Sequence, residues 1–189
     1  MFIRAWTVAA LGAAALAGTA APRPVPGGRA PVLADTTFPV PSSIQDEHLE
    51  LLARVVAATE ERGPVGEAAR ELSAVLSPHF AREEKIALPP LGLLAALGAG
   101  ELPAGADDVL PLTDSLRVEW PRMMEEHRRI AAALDQLDAV ARAEGHSLKY
   151  DPLVQLLRRH ARMEEEVLYP AALLAGEVVR ARRLAFRRR

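Results

Sequence analysis

The sequence predicts an all-α protein, an antiparallel up-down-up-down four-helix bundle made of two duplicated helix hairpins. Three observations carry that expectation. Half of the 189 residues are hydrophobic but only 4% are aromatic, with alanine and leucine in place of alternating valine and isoleucine, a composition suited to helices packed through small side chains. From Ser43 onward, apolar residues recur three and four apart, the period of one helix face. Finally, one pattern occurs twice, His79-Phe80-Ala81-Arg82-Glu83-Glu84 with Pro89 and His160-Ala161-Arg162-Met163-Glu164-Glu165 with Pro170. Each copy is preceded by a lone histidine behind acidic residues, Asp46-Glu47-His48 and Glu125-Glu126-His127. Four of the five histidines thus fall into a duplicated frame.

The elements follow in order. Ser42 or Ser43 is placed to cap a first helix running to about Arg62, where Gly63-Pro64 stops it. Ile44, His48, Leu51, Leu52 and Val55 share its inner face. A second helix from Val65 to Leu88 carries Leu72, Val75, Leu76, His79, Glu83 and Ile86, with Pro78 expected to kink it before Pro89-Pro90 breaks it. Residues 91–112 read as a short apolar helix or turn and a Gly/Pro/Asp loop between the halves. Thr113 or Asp114 opens a third helix to Glu144, bent or restarted at Pro121, with Trp120, Met123, Met124, His127, Ile130, Ala131, Leu134 and Leu137 on its stripe. Asp151-Pro152 reads as the start of the fourth helix, which carries Leu153, Leu156, Leu157, His160, Met163, Glu164 and Val167 until Pro170 bends or ends it.

The flanks read differently. Residues 1–21 resemble a secretory signal, with Arg4, an Ala-rich apolar stretch and small residues at its end. An uncleaved membrane anchor is the alternative, although the stretch is short for a span. Residues 22–42 form a Pro-rich linker, 43–175 the bundle, and 176–189 an Arg-rich tail. The expected address is therefore the periplasm or the exterior, and no membrane span is expected in the mature domain. No twin-arginine pair precedes the apolar stretch, so a chain exported unfolded would collect its metal outside the cytoplasm. A net charge of −2 gives no field for nucleic acid. The absence of cysteine excludes disulfides, thiolate zinc sites and iron–sulfur clusters, leaving nitrogen and oxygen as metal donors.

The duplicated motif carries the chemistry. Residues four apart share a helix face, so His79 with Glu83 and His160 with Glu164 each aim two metal-type donors at one point. Glutamate is 17 of 189 residues, so its chance occurrence four residues after both histidines is about one in a hundred. All four histidines lie in apolar stripes, where unpaired polar groups are costly. Four imidazoles and two carboxylates exceed what one tetrahedral zinc takes. Divided between two ions, they give each metal two nitrogens and two bridging carboxylates. An octahedral ion then needs a bridging oxo or hydroxo group and keeps one exchangeable position, a mixed N/O site suited to iron and less to manganese.

On these residues the chain resembles the hemerythrin-like, HHE cation-binding family over roughly residues 43 to 175. The resemblance implies a four-helix bundle around an oxo-bridged di-iron centre. It implies His48, His79, His127 and His160 as nitrogen ligands and Glu83 and Glu164 as bridging carboxylates. Oxygen-carrying hemerythrins have a further histidine one turn beyond the third-helix ligand. Here that position is Ala131, which moves the expectation from reversible O₂ carriage toward redox, sensing or iron handling. The one spare histidine, His146, falls in a connection and is not assigned to the site. The tandem acids leave Glu84 and Glu165 open as alternative or supporting ligands. Glu47 and Glu126 are read as bonding a neighbour or facing solvent. Met123, Met124 and Trp120 read as core that could also wall a ligand pocket. Tyr169, nine residues past His160, falls on the opposite face of a regular helix and is left out. The expected function is a non-haem di-iron protein binding O₂, NO or peroxide, with turnover left open. The alternative is an iron-binding or sensor module whose metal is structural or regulatory.

Overall fold

The computed structural model describes residues 38–187, and within them every regular element is helical. The expected signal segment and the linker up to residue 37 lie outside the described residues. The helices are α1 (Ser42–Thr59), α2 (Pro64–Arg82), α3 (Leu94–Gly98), α4 (Val109–Ala143), α5 (Ser147–Met163) and α6 (Tyr169–Arg187). A π turn, Glu83–Ala87, prolongs α2, and a second, Glu164–Leu168, joins α5 to α6 without a break. None of the described helices is long and apolar enough to cross a membrane.

Glycines set the two tight corners. Gly63, with φ of 76°, lets the chain turn from α1 into α2, and Pro64 with its fixed φ starts the new helix. Gly145, with φ of 74°, does the same between α4 and α5. Around the bundle, α1 packs on α2 and α5, and α4 packs on α2, α5 and α6.

Several boundaries depart from expectation. No serine caps α1: Pro41 precedes it and no side chain bonds its free N–H groups. α4 begins at Val109 rather than Thr113 and runs through Pro121 without restarting. α5 begins at Ser147, not at Asp151-Pro152. Pro152 removes a bond to the carbonyl of Leu148, a residue 95% exposed, so water can satisfy it. Pro170 does not end the last helix, and the expected Arg-rich tail continues it to Arg187. The preceding π turn already leaves a carbonyl without its helical partner, so the missing proline N–H is accommodated there. In the first copy a second proline, Pro90, follows Pro89, and the chain passes into the tighter 3₁₀ turn Pro89–Leu93. The buried Val179 extends the core beyond residue 175. Gly176 lets α6 approach α4: a Cβ there would lie 2.9 Å from Cβ of Thr113, a distance side chains do not tolerate.

The core is layered along the bundle, and the layers position the site. One apolar layer holds Leu51, Val55, Leu72, Leu76, Ile130, Leu134, Leu153 and Leu157. Another holds Ala87, Leu88, Leu116, Met123, Tyr169 and Ala172. On α2, α4 and α5 the histidines fall between these layers in sequence, and on α1 His48 precedes Leu51, with Ile44 on the far side packed against the second layer. Four histidines and two glutamates form a polar slab enclosed by hydrocarbon. Three residues read onto the inner stripes lie elsewhere: Ala131, Met163 and Val167 are exposed.

Candidate metal centre

All six expected site residues converge. His48, His79, Glu83, His127, His160 and Glu164 are buried, none more than 6% exposed. They form two quartets, each with ligand atoms within 4.8 Å of one another: His48, His160, Glu83 and Glu164, and His79, His127, Glu83 and Glu164. Both carboxylates belong to both quartets. His160 Nε2 lies 2.7 Å and His48 Nε2 3.4 Å from Oε1 of Glu164. His79 Nε2 lies 3.3 Å from Oε1 of Glu83, and His127 Nε2 3.4 Å from Oε2 of Glu164. Each of these four histidines turns its Nε2 inward.

The outer nitrogens are held just as regularly. Nδ1 of His48 meets Glu84 at 3.1 Å, that of His79 meets Glu126 at 3.1 Å, and that of His127 meets Glu165 at 2.6 Å. His160 Nδ1 approaches Glu47 at 3.5 Å. A carboxylate only accepts, so these partners place the proton on Nδ1 and leave the Nε2 lone pair facing the centre. The tandem acids therefore divide their work. Glu83 and Glu164 point inward, whereas Glu84 and Glu165 reach across to orient the lone histidine of their own hairpin. Glu47 and Glu126 orient the motif histidine of the other hairpin. Glu126 also accepts from Arg82 at 3.2 Å and Arg122 at 3.1 Å, which anchors it most firmly of the four. Glu126→Gln is expected to weaken metal binding by about 10–100-fold. Glu125→Gln, an exposed neighbour bonded to Arg128, should leave the affinity unchanged in the same metal competition titration.

The charges within the cluster set the protonation of its members. Burial raises the pKa of Glu83, and the charge of Glu164 raises it further. Burial also disfavours ionised Glu164, but bonds from His127, His160 and His48 overcome this and hold it well below the ordinary range. Burial alone would lower the pKa of His127, yet bonds to Glu164 and Glu165 lift it to about 9. His79 and His160 move upward for the same kind of reason. Nε2 atoms of His79 and His127 stand 2.9 Å apart, where only one of them can carry a proton. Glu83 Oε2 is buried with no hydrogen-bond partner. A buried cluster of converging lone pairs held together by shared protons is a donor set suited to cations in their place.

Tyr169 belongs to the centre, against expectation. Its hydroxyl donates to Oε1 of Glu83 and lies 3.3 Å from Nε2 of His127, and its ring stacks on His127 with centroids 5.8 Å apart. Nine residues of regular helix turn through about 180°, away from His160. The π turn inserts one extra residue, so Tyr169 takes the direction of an eighth position, about 80° from His160. The signal that could have found it is the tandem-acid motif itself, where a π turn occurs in both copies. Trp120 meets the Tyr169 ring edge-on at 5.8 Å, and Met123 packs in the same apolar layer, so both act as core. His146 is exposed at the start of α5 and joins neither quartet.

Residues 119–186 are similar to the hemerythrin HHE cation binding domain, whose family model they match. The matched segment contains His127, His160, Glu164 and Tyr169. No curated protein and no solved structure matches the chain.

Proposed function

We propose that the chain is a non-haem di-iron protein of hemerythrin type whose centre binds O₂, NO or peroxide, held in an antiparallel bundle of two hairpins. The observation that carries this reading is the pair of quartets sharing Glu83 and Glu164, each contributing two Nε2 atoms. His48 and His160 would hold one ion, His79 and His127 the other, and the two carboxylates would bridge. Iron at these positions supplies an exchangeable coordination site and one-electron redox chemistry.

The chain's own residues do the rest. Glu47, Glu84, Glu126 and Glu165 fix the imidazole tautomers so that no ligand must reorient on binding. Burial, with the charge of Glu83 beside it, raises the pKa of Tyr169 far above any working pH, so its hydroxyl stays a neutral donor. That donor fixes the orientation of the Glu83 carboxylate, whose Oε2 has no hydrogen-bond partner. The two apolar layers exclude water from the slab, which strengthens each electrostatic contact within it. The N-terminal residues 1–21 and the linker behind them we read as export signal and spacer, placing the bundle outside the cytoplasm.

Metal analysis of the purified chain, with visible spectra before and after O₂, NO and peroxide, tests this reading. About two irons per chain with an oxo-bridge charge-transfer band is the expected result. A chain with no metal, or with a single zinc, overturns it. Two irons whose spectrum ignores all three probes would instead favour a metal that only stabilises or regulates the bundle.

A further inference from the structure

We infer that the two halves of the centre are unequal, and that small ligands reach it from the α4–α5 seam, on the side of His79 and His127. This inference rests on the di-metal reading above. Its basis is where the duplicated hairpins differ. One residue after the motif histidine stands Phe80 in the first copy and Ala161 in the second. Phe80 lies flat on His48, centroids 3.9 Å apart and planes 4° from parallel, and meets His160 edge-on at 5.3 Å. The pair His48 and His160 is thereby sealed by one buried ring. Ala161 leaves the equivalent space over His127 open, and Ala131, where a larger side chain would also intrude, lines the same opening.

The opening is a crevice of about 440 Å³ walled by Ala131, Leu134, Leu157 and Ala161, with the buried His127 also in its lining. A water molecule's share of the liquid is roughly 30 Å³, so the crevice holds a hydrated molecule of two or three atoms with room to spare. His127 is the most exposed of the four ligand histidines, at 6% against 1% for His48 and His79 and 3% for His160. A hollow of about 60 Å³ on the α2–α4 seam reaches Glu126 but no histidine. The charges around the crevice cancel: Arg128, Arg158 and Arg162 stand against Asp135, Glu165 and Glu166. Such a rim does not concentrate ions of either sign, and its apolar walls suit a neutral diatomic.

The second asymmetry lies on the same side. Nine residues past the motif histidine stands Leu88 in the first copy and Tyr169 in the second. Only the His79/His127 side therefore has a buried hydroxyl beside its nitrogens, 3.3 Å from Nε2 of His127. The His79/His127 pair thus stands beside a hydroxyl that is engaged with Glu83, while the His48/His160 pair is covered by the Phe80 ring.

Two measurements on the full-length chain test the route. In the metal-free protein, dissolved O₂ serves as a paramagnetic probe of methyl relaxation by NMR. Among buried methyls bordering the centre, those of Leu134 and Leu157, which wall the crevice, are expected to show the largest enhancement, and equal or greater enhancement along α1 and α2 near Phe80 overturns the inference. In the iron-loaded protein, Ala161→Phe is expected to slow NO association by at least about tenfold with iron content unchanged. Ala131→Phe, at an exposed position that cannot disturb the core, should act in the same direction. Wild-type NO rates in both variants with both irons retained overturn the route. If the chain holds no iron the di-metal reading fails, and the O₂ relaxation map still judges the crevice.

Discussion

Glu83→Gln and Glu164→Gln are each expected to abolish binding of both metal ions, whereas loss of any one ligand histidine should cost mainly one. The reason is the sharing of donors. Glu83 and Glu164 sit in both quartets, but His48 and His160 serve only one and His79 and His127 only the other. Glutamine keeps the volume of glutamate and can still accept from Tyr169, so the change removes a bridging charge without opening a cavity. Metal content after dialysis against a weak chelator should fall from about two per chain to about none in the glutamine variants. It should fall to about one in His79→Ala or His160→Ala, because the remaining quartet keeps its four donors. Glu84→Gln and Glu165→Gln separate the tandem acids. Each should retain both ions with affinity weakened by about 10–100-fold, the cost of an outer partner. Retention of two ions in Glu83→Gln together with their loss in Glu84→Gln would reverse the assignment.

The convergence of four histidines and two glutamates is legible because helical spacing determines which of them share a face. His79 with Glu83 and His160 with Glu164 need no tertiary information, and the apolar residues around His48 and His127 place those too. What spacing could not give was anything beyond the π turns. From Glu83 and from Glu164 the chain winds more slowly, so a regular-helix projection misplaces Tyr169 and Val167. The four outer carboxylates are named by the sequence, but their partners are not legible in it, for a different reason. Glu84 reaches His48 on another helix, 36 residues away, a pairing that only the packing of α1 against the end of α2 determines. The capping differences have separate causes: Asp151 is a good cap by residue type, but the chain is already helical from Ser147, whereas α1 starts at Ser42 directly behind the extended Pro41 and takes no side-chain cap. Nor does sequence show that Phe80 and Ala161, adjacent to equivalent histidines, make one side of the centre closed and the other open.

Removing the metal is expected to make the stability of the bundle fall as pH rises from 6.5 to above 9, and metal-loaded protein should show no such fall. In the metal-free chain His127 has its pKa raised from 6.5 to about 9, since its bonds to Glu164 and Glu165 outweigh burial. A histidine raised in the folded state contributes stability that is complete below its unfolded value and lost as pH passes the folded one. His79 and His160 shift in the same direction and add to the loss. Glu83, raised by burial and by Glu164, acts with them, because ionising it in the slab becomes harder to avoid as pH climbs. Depressed Glu164 acts at the other end, where its contribution disappears as pH falls below the ordinary carboxylate range. Metal ions replace the shared protons, so the Nε2 lone pairs have nothing left to release on this alkaline side. At free metal a thousandfold above the dissociation constant, binding adds about 4 kcal/mol, or roughly 8–16 °C in melting temperature for a domain of this size. Melting curves followed by circular dichroism should therefore diverge, the gap between loaded and metal-free protein widening steadily from pH 6.5 to 9. Metal uptake near neutral pH should also release protons into a weakly buffered solution. A metal-free melting temperature that stays level or rises across that window would show that the histidines are not charged through their contacts with Glu164 and Glu165.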